Sequence, residues 1–134
     1  MNTYNMPQAE THSSQLTQRE AARLLAGEVE TIICNPPGDQ LRWTGTTIDL
    51  MEALYVTFVH ATLRDEKGNG LSFRQIVDRV CSVLHAKVPH NPYEVACRGA
   101  RRKGFKCLPF IDRYQWQKEH SPQSHPFNQL IGPL

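Results

Sequence analysis

The stretch IDLMEALYVTFVHATL, Ile48 to Leu63, decides how this chain folds. It is apolar on nearly every side of a helical wheel, which marks a helix buried all round rather than a surface helix. Its 16 residues include Asp49, Glu52 and His60, so it is too short and too polar to span a bilayer. The segment is therefore expected to be the central helix of a soluble core. Thr46 or Thr47 caps it, and Asp49 in the first turn is favoured by the helix dipole. Just before it, LRWTG alternates apolar and polar and ends in a turn glycine, Gly45. This predicts a short strand, Leu41–Trp43, with Trp43 buried against the central helix and Gly45 in a backbone conformation that other residues resist.

Working outward, three further helix starts are legible. Thr17 and Glu20 form a capping box, and Ala21, Leu25, Val29, Ile32 and Ile33 follow on one stripe until NPPG at Asn35 to Gly38 stops the helix. Ser72 and Gln75 form a second box. Phe73, Ile76, Val77, Val80, Cys81 and Leu84 then recur at amphipathic spacing. After the connector Ala86 to His90, Asn91-Pro92-Tyr93-Glu94 signals a third start, with Glu94 closing a capping box. In that helix Tyr93, Ala96, Cys97 and Ala100 are expected to face inward. Arg98, Arg101 and Arg102 share the outer face, with Gly99 between them allowing close backbone approach to a ligand. Pro109 to His120 predicts a last helix burying Phe110 and Tyr114, with Trp116 beside them.

The chain has 134 residues, enough for one domain of modest core, and 40% of them are apolar. The organisation expected is a disordered lead-in over 1–16, one helical domain over 17–120, and an extended tail over 121–134. The fold class is all-α for the most part: a helix-turn-helix or winged-helix-like bundle of about five helices with a short strand, its core at 41–118. GFKCL is too short to make a hairpin wing by itself. The N-terminus lacks the basic start and apolar run of a signal peptide, which points to a cytoplasmic protein without a membrane partner. Cys34, Cys81, Cys97 and Cys107 show no CxxC spacing and are expected as free thiols.

Charge is unevenly placed. Residues 1–97 hold eight basic and eleven acidic side chains, a net of −3, whereas residues 98–118 hold seven basic side chains against Asp112 alone, a net of +6. Such a local patch is the footprint of a polyanion partner. The expected contacts to double-stranded DNA are Arg98, Arg101, Arg102, Lys103, Lys106 and Arg113, with the basic helix 91–103 against the duplex. The alternative is a solvated or protein-facing patch.

Other chemistry is thinly represented. Cys81 and His85 stand one helical turn apart with His90 following, a spacing that can place two ligands on one metal, but Cys81 belongs to the apolar stripe. His120 and His125 fall in the presumed tail. Asp49 and Glu52 could pair as acid and base, yet no nucleophile accompanies them and no phosphate-binding or nucleophile-elbow motif occurs. No enzyme, metal or cofactor is expected. Trp43 and Tyr55 read as core packing.

Trp43-Thr44-Gly45, then Leu50, Glu52 and Tyr55, resemble the signature that opens the C-terminal part of the RteC family, regulatory proteins of conjugative transposons in Bacteroides-type bacteria. Phe73 and Ile76, the Arg101-Arg102-Lys103 cluster and PFID at Pro109 to Asp112 lie where the family has a similar helix, a basic helix and a Phe-Leu-Asp segment. The likeness covers residues 41 to 118, in a chain far shorter than full-length members. It implies a winged-helix-like DNA-binding module of a mobile genetic element that controls transcription. A protein-interaction accessory module of such an element, without direct DNA contact, is the alternative.

Overall fold

The computed structural model describes residues 15–102 and 107–134. Five α-helices and a two-stranded antiparallel sheet follow in the order α1 (Gln18–Cys34), β1 (Leu41–Trp43), α2 (Thr47–His60), α3 (Phe73–Val83), α4 (Pro92–Ala100), α5 (Phe110–His120) and β2 (Ile131–Pro133). The helix starts form as the side chains dictate. Thr17 Oγ1 accepts the Glu20 N–H while Glu20 Oε1 accepts the Thr17 N–H, at 3.0 and 2.9 Å. Ser72 and Gln75 repeat the reciprocal pair at α3. Thr46, not Thr47, caps α2, its hydroxyl accepting the Asp49 N–H. At α4 the Asn91 side chain accepts the Glu94 N–H. The return bond expected from the Glu94 carboxylate is absent among the described residues.

α2 is the hub, packed on by α1, α3, α4 and α5. Leu50, Met51, Ala53 and Leu54 are buried on several of its sides, as its near-continuous apolar character demands. Leu25 and Val29 of α1, Ile76, Val77 and Val80 of α3, and Phe110 and Tyr114 of α5 join them in one core.

The C-terminal segment is folded, not an extended tail. Residues 131–133 pair with β1 in the register Leu41↔Pro133, Arg42↔Gly132 and Trp43↔Ile131. Phe127 is fully buried, its ring centroid 4.9 Å from that of Trp43. The physical reason lies in the sequence PFNQLI: three apolar side chains close to one another can bury area that the polar residues around them hide from a composition reading. Lys118 Nζ further clamps the segment through the Pro122 and Ser124 carbonyls. The sheet is thus β1 with the C-terminal strand. The GFKCL stretch, 104–108, lies largely outside the described residues, as does the lead-in up to residue 14. Within that lead-in, Leu16 is described, and it is tied to α5 through Gln115 and Glu119.

Trp43 is buried as expected, with Nε1–H donating to the Thr46 carbonyl at 2.9 Å. Gly45 is constrained differently from the expectation. Its backbone is not in the left-handed region; instead a Cβ there would stand 2.9 Å from the Trp43 ring. Trp116, expected beside Phe110 and Tyr114, is 60% exposed.

Candidate nucleic-acid interface

The basic helix is rotated by about one residue relative to the expected face. Pro92, Val95, Ala96 and Gly99 are its buried residues, spaced i, i+3, i+4 and i+7. Tyr93 and Ala100, expected inside, are exposed, and Cys97 is half-buried. Gly99 accordingly faces α2 and not a ligand. A Cβ on Gly99 would lie 2.6 Å from Glu52 Oε1 and 2.8 Å from Ile48 Cγ2, so only glycine lets the two helices approach this closely.

The rotation divides the six expected contact residues. Arg98 and Arg101 are exposed on the outer face of α4. Arg102 and Arg113 are not surface cations of the same kind. Arg102 Nη1 lies 3.2 Å, and Arg113 Nη2 2.5 Å, from the same oxygen of buried Asp49. They are folded back onto the core as an internal ion-paired cluster, in the manner that marks a structural rather than a ligand-facing charge. Lys103 and Lys106 lie outside the described residues.

The buried cluster is centred on Asp49. Asp49 on the first turn of α2 takes both guanidiniums, and Arg102 Nη1 also donates to Cys107 Sγ at 2.7 Å. Arg113 Cζ stands 5.5 Å from the Phe110 ring centroid. Glu52, one turn on, is only 2% exposed. Its Oε2 accepts the Ile111 N–H at the start of α5, and its Oε1 has no hydrogen-bond partner among the described residues. Burial pushes the Glu52 carboxyl above the ordinary range, opposed by the backbone N–H groups of Phe110 and Ile111 and by Arg102. Asp49 and Glu52 thus form the joint where α2, the end of α4 and α5 meet. A second polar joint, missed from the sequence, links α1, α5 and the C-terminal segment: Glu28 accepts from the Tyr114 hydroxyl at 2.6 Å and from the Asn128 N–H at 2.9 Å. Burial and Glu28 together raise the Tyr114 hydroxyl far above its usual range.

All four cysteines are free thiols. Burial raises Cys81 to about 11, as fits a small core side chain. His85 turns back through a left-handed conformation and contacts the Leu41 carbonyl. No group of three potential metal ligands occurs among the described residues, and none of the described helices is long and apolar enough to cross a membrane.

An exposed aromatic patch was not foreseen. Tyr55, expected in the core, is half-buried, and its ring lies 5.4 Å from those of Phe73 and Tyr93 and 6.0 Å from that of Phe58. Phe58, Val59 and Tyr93 are 39%, 56% and 54% exposed.

No protein-family model, no curated protein and no solved structure matches this chain. The likeness to the RteC family therefore rests on the residues quoted for it.

Proposed function

We propose that this chain is a duplex-DNA-binding module that presents the outer face of α4 to the phosphate backbone. The observation that carries the reading is the exposure of Arg98 and Arg101 on a helix whose opposite face is seated on α2 through Gly99. A helix held that rigidly offers its outer arginines at a fixed spacing, which suits phosphate contacts that position a protein on DNA. The order of α2, α3 and α4, a hub helix followed by an amphipathic and a basic helix, supports it. Of the four expected contact residues that are described, Arg98 and Arg101 bind, whereas Arg102 and Arg113 hold α4 and α5 in place. Transcriptional control within a mobile element is what the RteC likeness adds.

Fluorescence anisotropy on a randomised duplex at low ionic strength tests this. Affinity falls steeply with added salt, because each phosphate contact releases counterions, and Arg98→Ala with Arg101→Ala together flatten that slope. Absence of salt-sensitive binding, or a double variant that binds as wild type, refutes the reading. The aromatic patch favours a second reading, a protein-interaction accessory module without DNA contact. In that case Phe58→Asp abolishes a partner complex and the duplex experiment is blank.

A further inference from the structure

We propose that the cavity between α1, α5 and the C-terminal segment binds a small zwitterion of the amino-acid class, its ammonium held by Glu28 and its carboxylate by Lys118. The cavity measures about 290 Å³. Gly27, Glu28 and Thr31 of α1, Tyr114 and Lys118 of α5, and Asn128 line it. That volume is at the small end of ligand sites and suits a small metabolite.

Two charges of opposite sign face this space, and the fold neutralises neither. Glu28 is only 8% exposed. An acid at that depth is ordinarily paired with a cation. Both of its partners here are neutral: the Tyr114 hydroxyl on Oε2 and the Asn128 N–H on Oε1. An amide oxygen would accept such bonds as well, so they do not account for an acid. A carboxylate offers about four acceptor positions, and these two contacts leave the others open. Lys118 stands in the corresponding position. Its Nζ donates to the Pro122 and Ser124 carbonyls, both at 2.8 Å, and its third N–H is left over. Among the described residues no ion pair joins Lys118 to Glu28. A ligand carrying both an ammonium and a carboxylate satisfies both groups through charge-assisted hydrogen bonds. A simple amine would meet the like charge of Lys118, and a simple carboxylate that of Glu28, so both are disfavoured.

The surroundings set the rest of the ligand. Leu24 also lines the cavity, and a second cavity of about 320 Å³, lined by Ile32, Leu41 and Ile131, shares Thr31 and Asn128 with it. An apolar side chain on the ligand fits these walls. Gly27 keeps the space open, because a Cβ there would meet nothing within 4 Å. No residue of α4 takes part in the lining, so binding is read without DNA.

Amide proton–nitrogen NMR spectra of the whole chain, titrated with L-valine, L-leucine and L-phenylalanine in turn, test the site. Saturable shifts at Gly27 and Asn128 are expected with at least one of the three. For that amino acid, the matching amide, which lacks the carboxylate, and the matching deaminated acid, which lacks the ammonium, each bind about tenfold more weakly or worse. Glu28→Gln, which removes the charge and keeps an acceptor oxygen, is expected to lose as much. Gly27→Leu fills the cavity and is expected to keep a thermal melt no lower than wild type while abolishing the shifts. Absence of saturable shifts with all three up to millimolar concentration overturns the inference. So does an amide or deaminated acid that binds as tightly as the amino acid, or a folded Gly27→Leu protein that still binds. The duplex reading stands or falls separately from each of these results.

Discussion

Replacing Gly99 by alanine puts the packing of α4 to a test of sign. On an exposed helix face the change is favourable, because alanine outranks glycine by about 1 kcal/mol in a helix interior. Here the added methyl would sit 2.6 Å from Glu52 Oε1 and 2.8 Å from Ile48 Cγ2. Neither neighbour gives way easily. Ile48 stands at the start of the hub helix, and Glu52 is held through Oε2 by the Ile111 N–H. Overpacking of this kind costs about 1–3 kcal/mol, and disturbing the Glu52 bond adds about 1 kcal/mol. After the propensity gain is subtracted, Gly99→Ala is expected to destabilise the fold by about 1–3 kcal/mol, measured by urea unfolding followed by circular dichroism. Gly27 is the matched control. It lies in α1 with nothing within 4 Å of an added Cβ, so Gly27→Ala is expected to stabilise by about 0.5–1 kcal/mol. Opposite signs at the two glycines support the packing described. A Gly99→Ala protein as stable as wild type, or more so, would place Gly99 on the outer face and refute it.

Three other outcomes follow from the buried groups. Because the folded Glu52 carboxyl titrates above its unfolded value, the unfolded state is favoured as pH rises through that interval. Glu52→Gln should therefore gain stability over wild type with rising pH and converge with it in acid, which parallel urea titrations would show; a constant difference refutes the assignment. Asp49→Ala strands two guanidiniums and is expected to cost about 3–5 kcal/mol, whereas Arg98→Ala, on an exposed side chain, should change the melting temperature little; equal effects would mean that the ion-paired cluster is not structural. Phe127→Ala should cost about 3–5 kcal/mol, as for other buried aromatics, and near-neutrality would show that the C-terminal segment does not complete the core.

Legibility in the sequence followed the strength of local signals. The hub helix, the strand Leu41–Trp43 and the capped starts of α1 and α3 were readable because side-chain caps and a dense apolar run are decided within a few residues. The docking of residues 121–134 was not, because Phe127 finds Trp43 across more than eighty residues and the polar, Pro-rich composition between says nothing of it. The joint at Asp49 was half legible. Asp49 was legible as an acid favoured in the first turn of an apolar helix, but its partners Arg102 and Arg113 arrive from another helix end and from α5.

The misplaced face of α4 shows why the basic stretch was the hardest part to read. With nine residues the helix has room for barely two and a half turns, and its small side chains, Ala96, Gly99 and Ala100, fit either stripe. Counting hydrophobicity favours Tyr93 as an inward residue. Packing favours Gly99, because α2 at that level already holds Ile48 and Glu52 and leaves no space for a side chain. Once Gly99 turns inward, Tyr93 is carried out to the aromatic patch and Arg102 swings under the helix end toward Asp49. Among the described residues of the basic stretch, Arg98 and Arg101 remain outside. One close contact between helices thus determines three things together: which arginines can meet a polyanion, which hold the fold, and which aromatic surface is left uncovered.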